Sequence, residues 1–373
     1  MNFKVDRLPF LNELNKVSRA VSQKTPLPSL AGIKIEARDN TLYFTGSDSD
    51  ISMYSYLKSE NNNFMLEIME EGSIVLGAKY ICDIVRKLES NQVCVEIMDG
   101  QLTRISDEYS DFKINGLKSS DYPTIDFSKP DKSILLNGFT LQRCINQTIF
   151  ATSDKETRPV LTGINVKANK GKMEFVGTDS YRLAKKIISV HEDTNFSVTI
   201  PAKTLEEVSK TIESDEVMEF AVNDKKIQFW IGNTIIQSRL IEGAYPETSR
   251  LIPMSFEYEL TADSRDLLSA IDRASLMKED GKNIVKLRLT QDLVELSSKS
   301  QMVGSVKEVL NEAAFQGKDL DISFSGKYAY DAIRALECDL IKIKFSGEMK
   351  PFVITGCNDY SCIQLILPVR TYA

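Results

Sequence analysis

The chain has 373 residues, 42% of them hydrophobic and 27% charged, with a formal charge of −7 at neutral pH. These are the values of a folded protein too long for one ordinary core; they exclude a disordered chain and a uniformly basic nucleic-acid binder, though not a local basic face. No apolar run approaches the ~18 residues of a membrane helix, and residues 1–6 carry no apolar signal segment, so a cytoplasmic protein with no membrane partner is expected.

In chain order, residues 3–5 predict a short entry strand. A helix follows with Phe10, Leu14 and Val17 on one face, and Pro26 and Pro28 break it. Residues 32–37 and 41–45 alternate as strands, and Asn61, Asn62 and Asn63 mark a loop tip. A second helix over 79–89 leads into a strand at 93–97, and a strand at 112–114 leads to Tyr122-Pro123. The plan then repeats. A strand at 134–136 precedes a helix over 139–150 carrying Leu141, Ile145 and Ile149, and a further helix spans 201–213. Leu161-Thr162-Gly163-Ile164 matches Leu30-Ala31-Gly32-Ile33, and Gly177-Thr178-Asp179 matches Gly46-Ser47-Asp48, both at an offset of 131 residues. Tyr245-Pro246 echoes Tyr122-Pro123 at an offset of 123. The last third gives another copy, with helices over 264–276 (Leu267, Leu268, Ile271) and 327–337, strands at 285–289, 293–296 and 340–345, and an apolar ending from Cys362 to Arg370.

The second helix of each copy shows the repeat most clearly. Lys79, Lys203 and Lys327 recur every 124 residues, as do Asp83, Glu207 and Asp331; Arg86, Lys210 and Arg334; and Leu88, Ile212 and Leu336. In the central copy Leu205, Val208 and Ile212 share one face, and Lys203, Glu207 and Lys210 share an opposite, solvated one. Runs of strands with two helices per copy, rather than strict βαβ alternation, predict an α+β fold of three similar repeats (1–125, 126–250, 251–373), each of antiparallel sheet with helices on one face.

Catalytic chemistry has little footing. The single histidine, His191, lies in a polar loop, so a Ser/His/Asp or Cys/His system lacks a base. The six cysteines (Cys82, Cys94, Cys144, Cys338, Cys357, Cys362) form no CxxC pair and read as small core residues in a reducing compartment. Their spacing from His191 supplies no zinc site. Asp48-Ser49-Asp50 reads as a solvated turn, and no P-loop or strand-borne GxGxxG is present. No catalytic residue, metal or cofactor is expected, and a carboxylate-based hydrolase is disfavoured for want of a constellation.

Binding has better candidates. The polar faces of the second helices are either solvated ion-pair ladders or rows of cations for a polyanion, weak and sequence-independent because each row contains an acid. The first helices and the loops after them add Arg7, Lys16, Arg19 and Lys24; then Arg143, Lys155 and Arg158; then Arg265, Arg273, Lys278 and Lys282. The run Gly177 to Ala184 includes Tyr181-Arg182-Leu183, which the first copy lacks; it is either packing or a task peculiar to the second copy.

Three stretches, Thr178-Asp179-Ser180-Tyr181-Arg182-Leu183-Ala184, Leu240-Ile241-Glu242-Gly243-Ala244-Tyr245-Pro246 and Leu367-Pro368-Val369-Arg370, resemble the bacterial sliding-clamp family, the beta subunits of DNA polymerase III, and the likeness runs the whole chain. The resemblance implies the DNA clamp fold: a head-to-tail homodimer closed into a ring of six domains, with helices lining a hole for duplex DNA. It implies a non-catalytic processivity factor that tethers the DNA polymerase III catalytic subunit, the clamp loader and other proteins bearing a clamp-binding motif. Family DNA contacts fall on Lys24, Lys79, Lys155, Arg158 and Lys203, with Arg86, Lys210, Lys327 and Arg334 completing the repeated rows. The family's partner-peptide cleft falls on Leu161, Thr178, Ser180, Tyr181, Arg182, Leu183, Pro246, Arg250, Leu251, Leu365, Leu367, Pro368, Val369 and Arg370. Many relatives have Gly-His where this chain has Ser180-Tyr181, which keeps an aromatic gate and removes a titratable group. The implied dimer seam sets Phe112 and Ile114 against Leu276 and Met277. The alternative is a three-repeat scaffold that binds proteins and not DNA.

Overall fold

The structure, a computed structural model, describes residues 1–59, 63–278 and 283–370. Among these, six helices punctuate short antiparallel strands: α1 (Arg7–Ser18), α2 (Ala78–Lys87), α3 (Gly138–Asn146), α4 (Ala202–Thr211), α5 (Ser264–Ala274) and α6 (Gly326–Leu336). Each copy contributes two helices. Their buried stripes follow the helical period: Phe10, Leu14 and Val17 in α1, and Leu267, Ile271 and Ala274 in α5. Asp263 caps α5 by accepting hydrogen bonds from the amides of Arg265 and Asp266, and Ser325 caps α6 through Tyr328. Glu337 ends α6 in the left-handed region at φ 53°.

Among the described residues the strands form four antiparallel sheets. The first runs Leu66–Glu70, Asn2–Asp6, Gln92–Asp99, Leu102–Ser106, Asp111–Asn115. The second runs Lys132–Asn137, Val217–Val222, Lys226–Ile231, Thr234–Arg239, Ile51–Lys58, Thr41–Ser47, Gly32–Arg38, Gly72–Gly77. The third runs Phe196–Pro201, Gly163–Asn169, Lys172–Thr178, Arg182–Ser189, Cys362–Ile366, Phe352–Gly356, Leu340–Phe345, Tyr258–Asp263, Ala314–Gln316. The fourth runs Gly304–Val309, Val294–Ser300, Ile284–Leu289, Leu320–Ser325.

The two long sheets ignore the repeat boundaries. In the second, Ile51–Lys58 of the first copy pairs with Thr234–Arg239 of the second, with Met53 opposite Ile236. In the third, Arg182–Ser189 of the second copy pairs with Cys362–Ile366 of the third, with Leu183 opposite Leu365. Each seam thus joins a half-sheet of one copy to a half-sheet of the next. The chain accordingly forms two compact units, residues 1–139 with 207–240 and residues 140–206 with 241–373, and the middle copy contributes to both. In the first unit Phe3, Phe10 and Phe44 pack edge to face and tilted, with centroids 5.7 and 5.8 Å apart. In the second, Phe324 and Phe345 each pack tilted against Phe352, at 5.2 and 5.4 Å.

Several elements end earlier than their periodicity predicts. The helix expected over 139–150 stops at Asn146 and resumes as a tight turn at Ile149–Ala151. There the Thr148 hydroxyl donates to the Cys144 carbonyl at 2.7 Å, competing with the backbone ladder. The first helix ends at Ser18, well before Pro26, so the prolines do not break it. The helix expected over 79–89 ends at Lys87, with Leu88 already extended, and the one expected over 264–276 ends at Ala274. Glu337 caps α6 and does not continue it. Cys94, Cys338 and Cys357 are half-buried rather than core residues. Asn61, Asn62 and Lys282 lie outside the described residues.

The matched Gly46 and Gly177 have one physical cause. A Cβ at Gly46 would lie 2.2 Å from the Val17 carbonyl oxygen at the end of α1, and one at Gly177 would lie 2.5 Å from the Thr148 carbonyl oxygen. The strand touches the end of the first helix in both copies, and only glycine permits the approach. Gly46→Ala should therefore cost about 2–3 kcal/mol of unfolding free energy, read as a lower urea midpoint; an unchanged midpoint would show that this contact relaxes freely.

Candidate partner cleft and cation faces

The cleft residues expected from the sequence converge in the second unit. Val176, Leu183, Val353 and Leu365 form a small buried cluster, with Tyr245, Ile252, Phe256 and Ile363 packed against it. The Tyr245 hydroxyl donates to the Val176 carbonyl at 3.1 Å. Leu161 is buried in the turn Pro159–Thr162, while Arg250 and Leu251 are exposed on the turn Ser249–Leu251, just before Ile252. Beyond the strand Cys362–Ile366, the Leu367 amide donates to the Tyr181 carbonyl at 3.0 Å and the Val369 amide to the Ser323 carbonyl at 2.7 Å. Leu367 and Arg370 are exposed, Pro368 and Val369 half-buried, and Pro246 exposed.

The turn before Leu183 is tightly held. Thr178 donates through its hydroxyl to the Arg182 carbonyl at 2.6 Å and accepts from the Ser180 amide. Asp179 accepts from the amides of Tyr181 and Arg182 at 2.8 and 3.0 Å. Ser180 sits at φ 78°, and Tyr181 projects with 62% of its surface exposed. Arg182 does the reverse. Only 10% of its side chain is exposed; its guanidinium meets Asp179 at 3.0 Å and Asp331 of α6 at 2.9 Å, and lies 4.4 Å from the Tyr328 ring and 5.3 Å from the Phe150 ring.

All nine expected cation-face residues, Lys24, Lys79, Arg86, Lys155, Arg158, Lys203, Lys210, Lys327 and Arg334, are exposed. Lys24 and Lys155 fall at the 131-residue offset, each in the loop that precedes a matching turn (Pro28–Ala31 and Pro159–Thr162). The acids between them differ from expectation. Glu207 is not on a solvated face: it is 7% exposed and sits 3.2 Å from Arg19, just after α1, and 2.9 Å from Lys210. Asp331 is turned to Arg182, and only Asp83 pairs solely within its own row, with Arg86 at 2.7 Å.

The structure thus brings together a small apolar cluster beside a braced turn and leaves the cations of the repeated helices exposed. Three family models described as the N-terminal, central and C-terminal domains of the DNA polymerase III beta subunit match residues 1–126, 135–247 and 249–370. Proteins called beta sliding clamp from Staphylococcus epidermidis and Bacillus subtilis are 40% and 39% identical, over the full length of both chains. The chain belongs to the bacterial beta sliding clamp family. The crystal structure of the DNA polymerase sliding clamp from Bacillus subtilis superposes with a TM-score of 0.95 at 38% identity, covering all of both chains. That of the DNA polymerase III beta chain from Streptococcus pneumoniae gives 0.94 at 31%, covering 99% of this chain and all of that one.

Of the four expected seam residues, two are exposed and two half-buried. Phe112 is exposed and Ile114 half-buried on Asp111–Asn115, an edge strand, while Leu276 is 70% exposed and Met277 half-buried just after α5. Away from these, His191 is exposed and lies 3.6 Å from Asp193. Asp48 accepts from the amides of Asp50 and Ile51, as a solvated turn does. Burial pushes the thiols of Cys144 and Cys362 up to about 12, so they are protonated at neutral pH. Among the described residues no cluster of His, Cys, Asp and Glu could hold a metal ion, and no helix is long and apolar enough to cross a membrane.

Periodicity gave no sign of Glu207 with Arg19 or Asp331 with Arg182, because each pair joins different copies; the only available signal was that an acid recurs at one helical position. A third such bond is Lys186, buried on Arg182–Ser189, which donates to Asp359 at 2.9 Å and Ser361 at 2.7 Å, across the seam to the third copy. Burial acts to raise the Asp359 carboxyl, but the hydrogen bonds from Ser361 and the Lys186 ammonium outweigh it and hold the group at about 2, below its usual 3.8. A depressed carboxyl stabilises the fold above its unfolded value and loses that contribution as pH falls towards the folded one. The stability gap between wild type and Asp359→Asn should therefore be full near neutrality and shrink between about pH 4 and 2. Urea midpoints measured across that range check this; a gap independent of pH would contradict it.

Proposed function

We propose that two copies of this sliding-clamp chain close head to tail into a ring of six domains (1–125, 126–250 and 251–373 in each), which encircles duplex DNA without catalysing a reaction. In this reading the ring tethers the DNA polymerase III catalytic subunit, the clamp loader and other motif-bearing partners at the Tyr181–Leu365 cleft. The observation that carries it is the pattern of open half-sheets. At both internal seams the strand following two hairpin strands (Ile51–Lys58, Arg182–Ser189) pairs with the last strand of the next copy (Thr234–Arg239, Cys362–Ile366). The third copy's equivalent strand, Gly304–Val309, and the first copy's, Asp111–Asn115, are edges. The two terminal sheets, of four and five strands, together carry as many strands as the nine-stranded one. Unpaired edges invite strand addition, and a heterologous contact repeated by rotation closes a ring.

Side chains at the same places support this. Position 19 in the first copy corresponds to 150 and 276. Arg19 forms an ion pair with Glu207 of the following copy, and Phe150 packs against the core of the third. Leu276 is left exposed. On the receiving side, Tyr80 corresponds to Thr204, which is buried, and to Tyr328, which stacks on Arg182; Tyr80 itself is 68% exposed. It borders an apolar recess with Pro28, Val75, Ile114 and Leu117. A ring cannot leave DNA sideways, so weak, sequence-independent phosphate contacts from the cation rows suffice, and they permit sliding.

Loaded by its loader, the protein should remain on nicked circular DNA and be lost rapidly once the circle is linearised. Equal retention on both in gel filtration would refute encirclement and favour a scaffold that merely binds. Leu276→Asp should move the sedimenting mass from dimer to monomer, since an unpaired carboxylate buried at each seam costs about 3–5 kcal/mol. A persistent dimer would place the seam elsewhere.

A further inference from the structure

The turn of Thr178, Asp179 and Ser180 has a counterpart in the first copy. Asp48 accepts from the amides two and three residues on, and Ser49 sits at φ 85°, just as Asp179 and Ser180 (φ 78°) do. In the first copy the residue after the turn is Ile51, which is buried and apolar. The turn therefore forms without an arginine. Burying the Arg182 guanidinium and the Asp331 carboxylate adds a desolvation cost that turn formation does not require. What the pair adds is a connection. Arg182 Nε holds Asp179 Oδ2, the other carboxylate oxygen of the group that fixes the Tyr181 amide. Arg182 Nη1 reaches Asp331 Oδ2 at 2.9 Å, 149 residues away on α6. The Tyr181 carbonyl is fixed in turn by the Leu367 amide.

We propose that Asp331 is a positioning residue for the partner cleft: it locks Arg182 and, through Asp179, sets the backbone that presents Tyr181. The proposal rests on the cleft reading above. It makes Arg182 a brace behind the cleft rather than a peptide contact, and it gives the acid of α6 a task separate from the cations Lys327 and Arg334 on the same helix. The guanidinium, planar and forked, holds both carboxylates in a fixed geometry; a lysine presents its charge at one point on a flexible stem and does not reproduce that fork.

The test uses the full-length protein, a fluorescent peptide from the polymerase catalytic subunit, and 3-fluorotyrosine placed at position 181. Asp331→Asn should weaken peptide binding about tenfold, the scale of one lost charge-assisted hydrogen bond, and shift the fluorine resonance. Asp331→Glu should restore both. Arg182→Lys, a second variant that keeps the positive charge, should behave like Asp331→Asn. Adding Asp331→Asn to Arg182→Ala should weaken binding no further than Arg182→Ala alone. An unchanged affinity and resonance in Asp331→Asn, whatever its melting temperature, would overturn the proposal and leave the pair as glue between copies. If Tyr181→Ala does not alter peptide binding, the cleft reading itself fails; the resonance then decides alone, a shift upholding the positioning role and no shift overturning it.

Discussion

The structure depends on backbone hydrogen bonding across repeat boundaries. A strand at a sheet edge exposes a row of donors and acceptors that must be paired, covered or left to water. Here each copy makes two half-sheets, and the internal half-sheets find their partner in the neighbouring copy. The copies are consequently not beads on a string: the middle one is divided between two sheet-built units. The same pairing explains why the repeat drifts in sequence without drifting in structure. Loop lengths can change the offset from 123 to 131 residues, but the strand that meets the next copy must keep its register, because a one-residue slip would turn Leu183 and Leu365 out of their shared cluster.

Charge follows the same logic of exchange between copies. A row of lysine, acid and arginine on one helix would largely cancel itself if the acid paired within the row, as Asp83 does with Arg86. In the other two rows an arginine from a preceding copy engages the acid, Arg19 at Glu207 and Arg182 at Asp331. These arginines offset carboxylates that would otherwise repel a polyanion, so α6 in particular offers Lys327 and Arg334 without an opposing charge between them. A formal charge of −7 is thereby compatible with a cationic face, since the sum says nothing about where the acids have been spent.

What was legible in the sequence was whatever is local. Periodicity located all six helices, because Leu205, Val208 and Ile212 or Phe10, Leu14 and Val17 must share a face wherever they pack. The matching glycines were legible as part of the repeat, but the contact they permit, a strand against the end of the first helix with a carbonyl 2.2 Å from where a Cβ would lie, was not. Helix ends were less legible: Thr148 is an acceptable helical residue until its hydroxyl takes the Cys144 carbonyl. Partners between copies were not legible at all. Nothing in the pattern around Glu207 distinguishes a solvated acid from one that an arginine 188 residues earlier removes from water. The cleft positions came from family resemblance, and the structure brings Leu183, Leu365, Tyr181 and Leu367 together by pairing strands far apart in the chain.

The backbone at Ser180-Tyr181 bears on how the proposed cleft is held. A serine at φ 78° carries a strain that glycine would not, of order 1 kcal/mol, so the turn needs restraint. The hydrogen bonds from Thr178, Asp179 and Leu367 supply part of it. They are all local to the turn or to the neighbouring strand, and they leave the Asp179 side chain able to pivot about its own bond. Arg182 removes that freedom by anchoring the second carboxylate oxygen to α6. Strain at Ser180, the exposed Tyr181 ring and the buried Arg182–Asp331 pair are then parts of one arrangement: a side chain offered to solvent can be specific only if the backbone beneath it is not free to move.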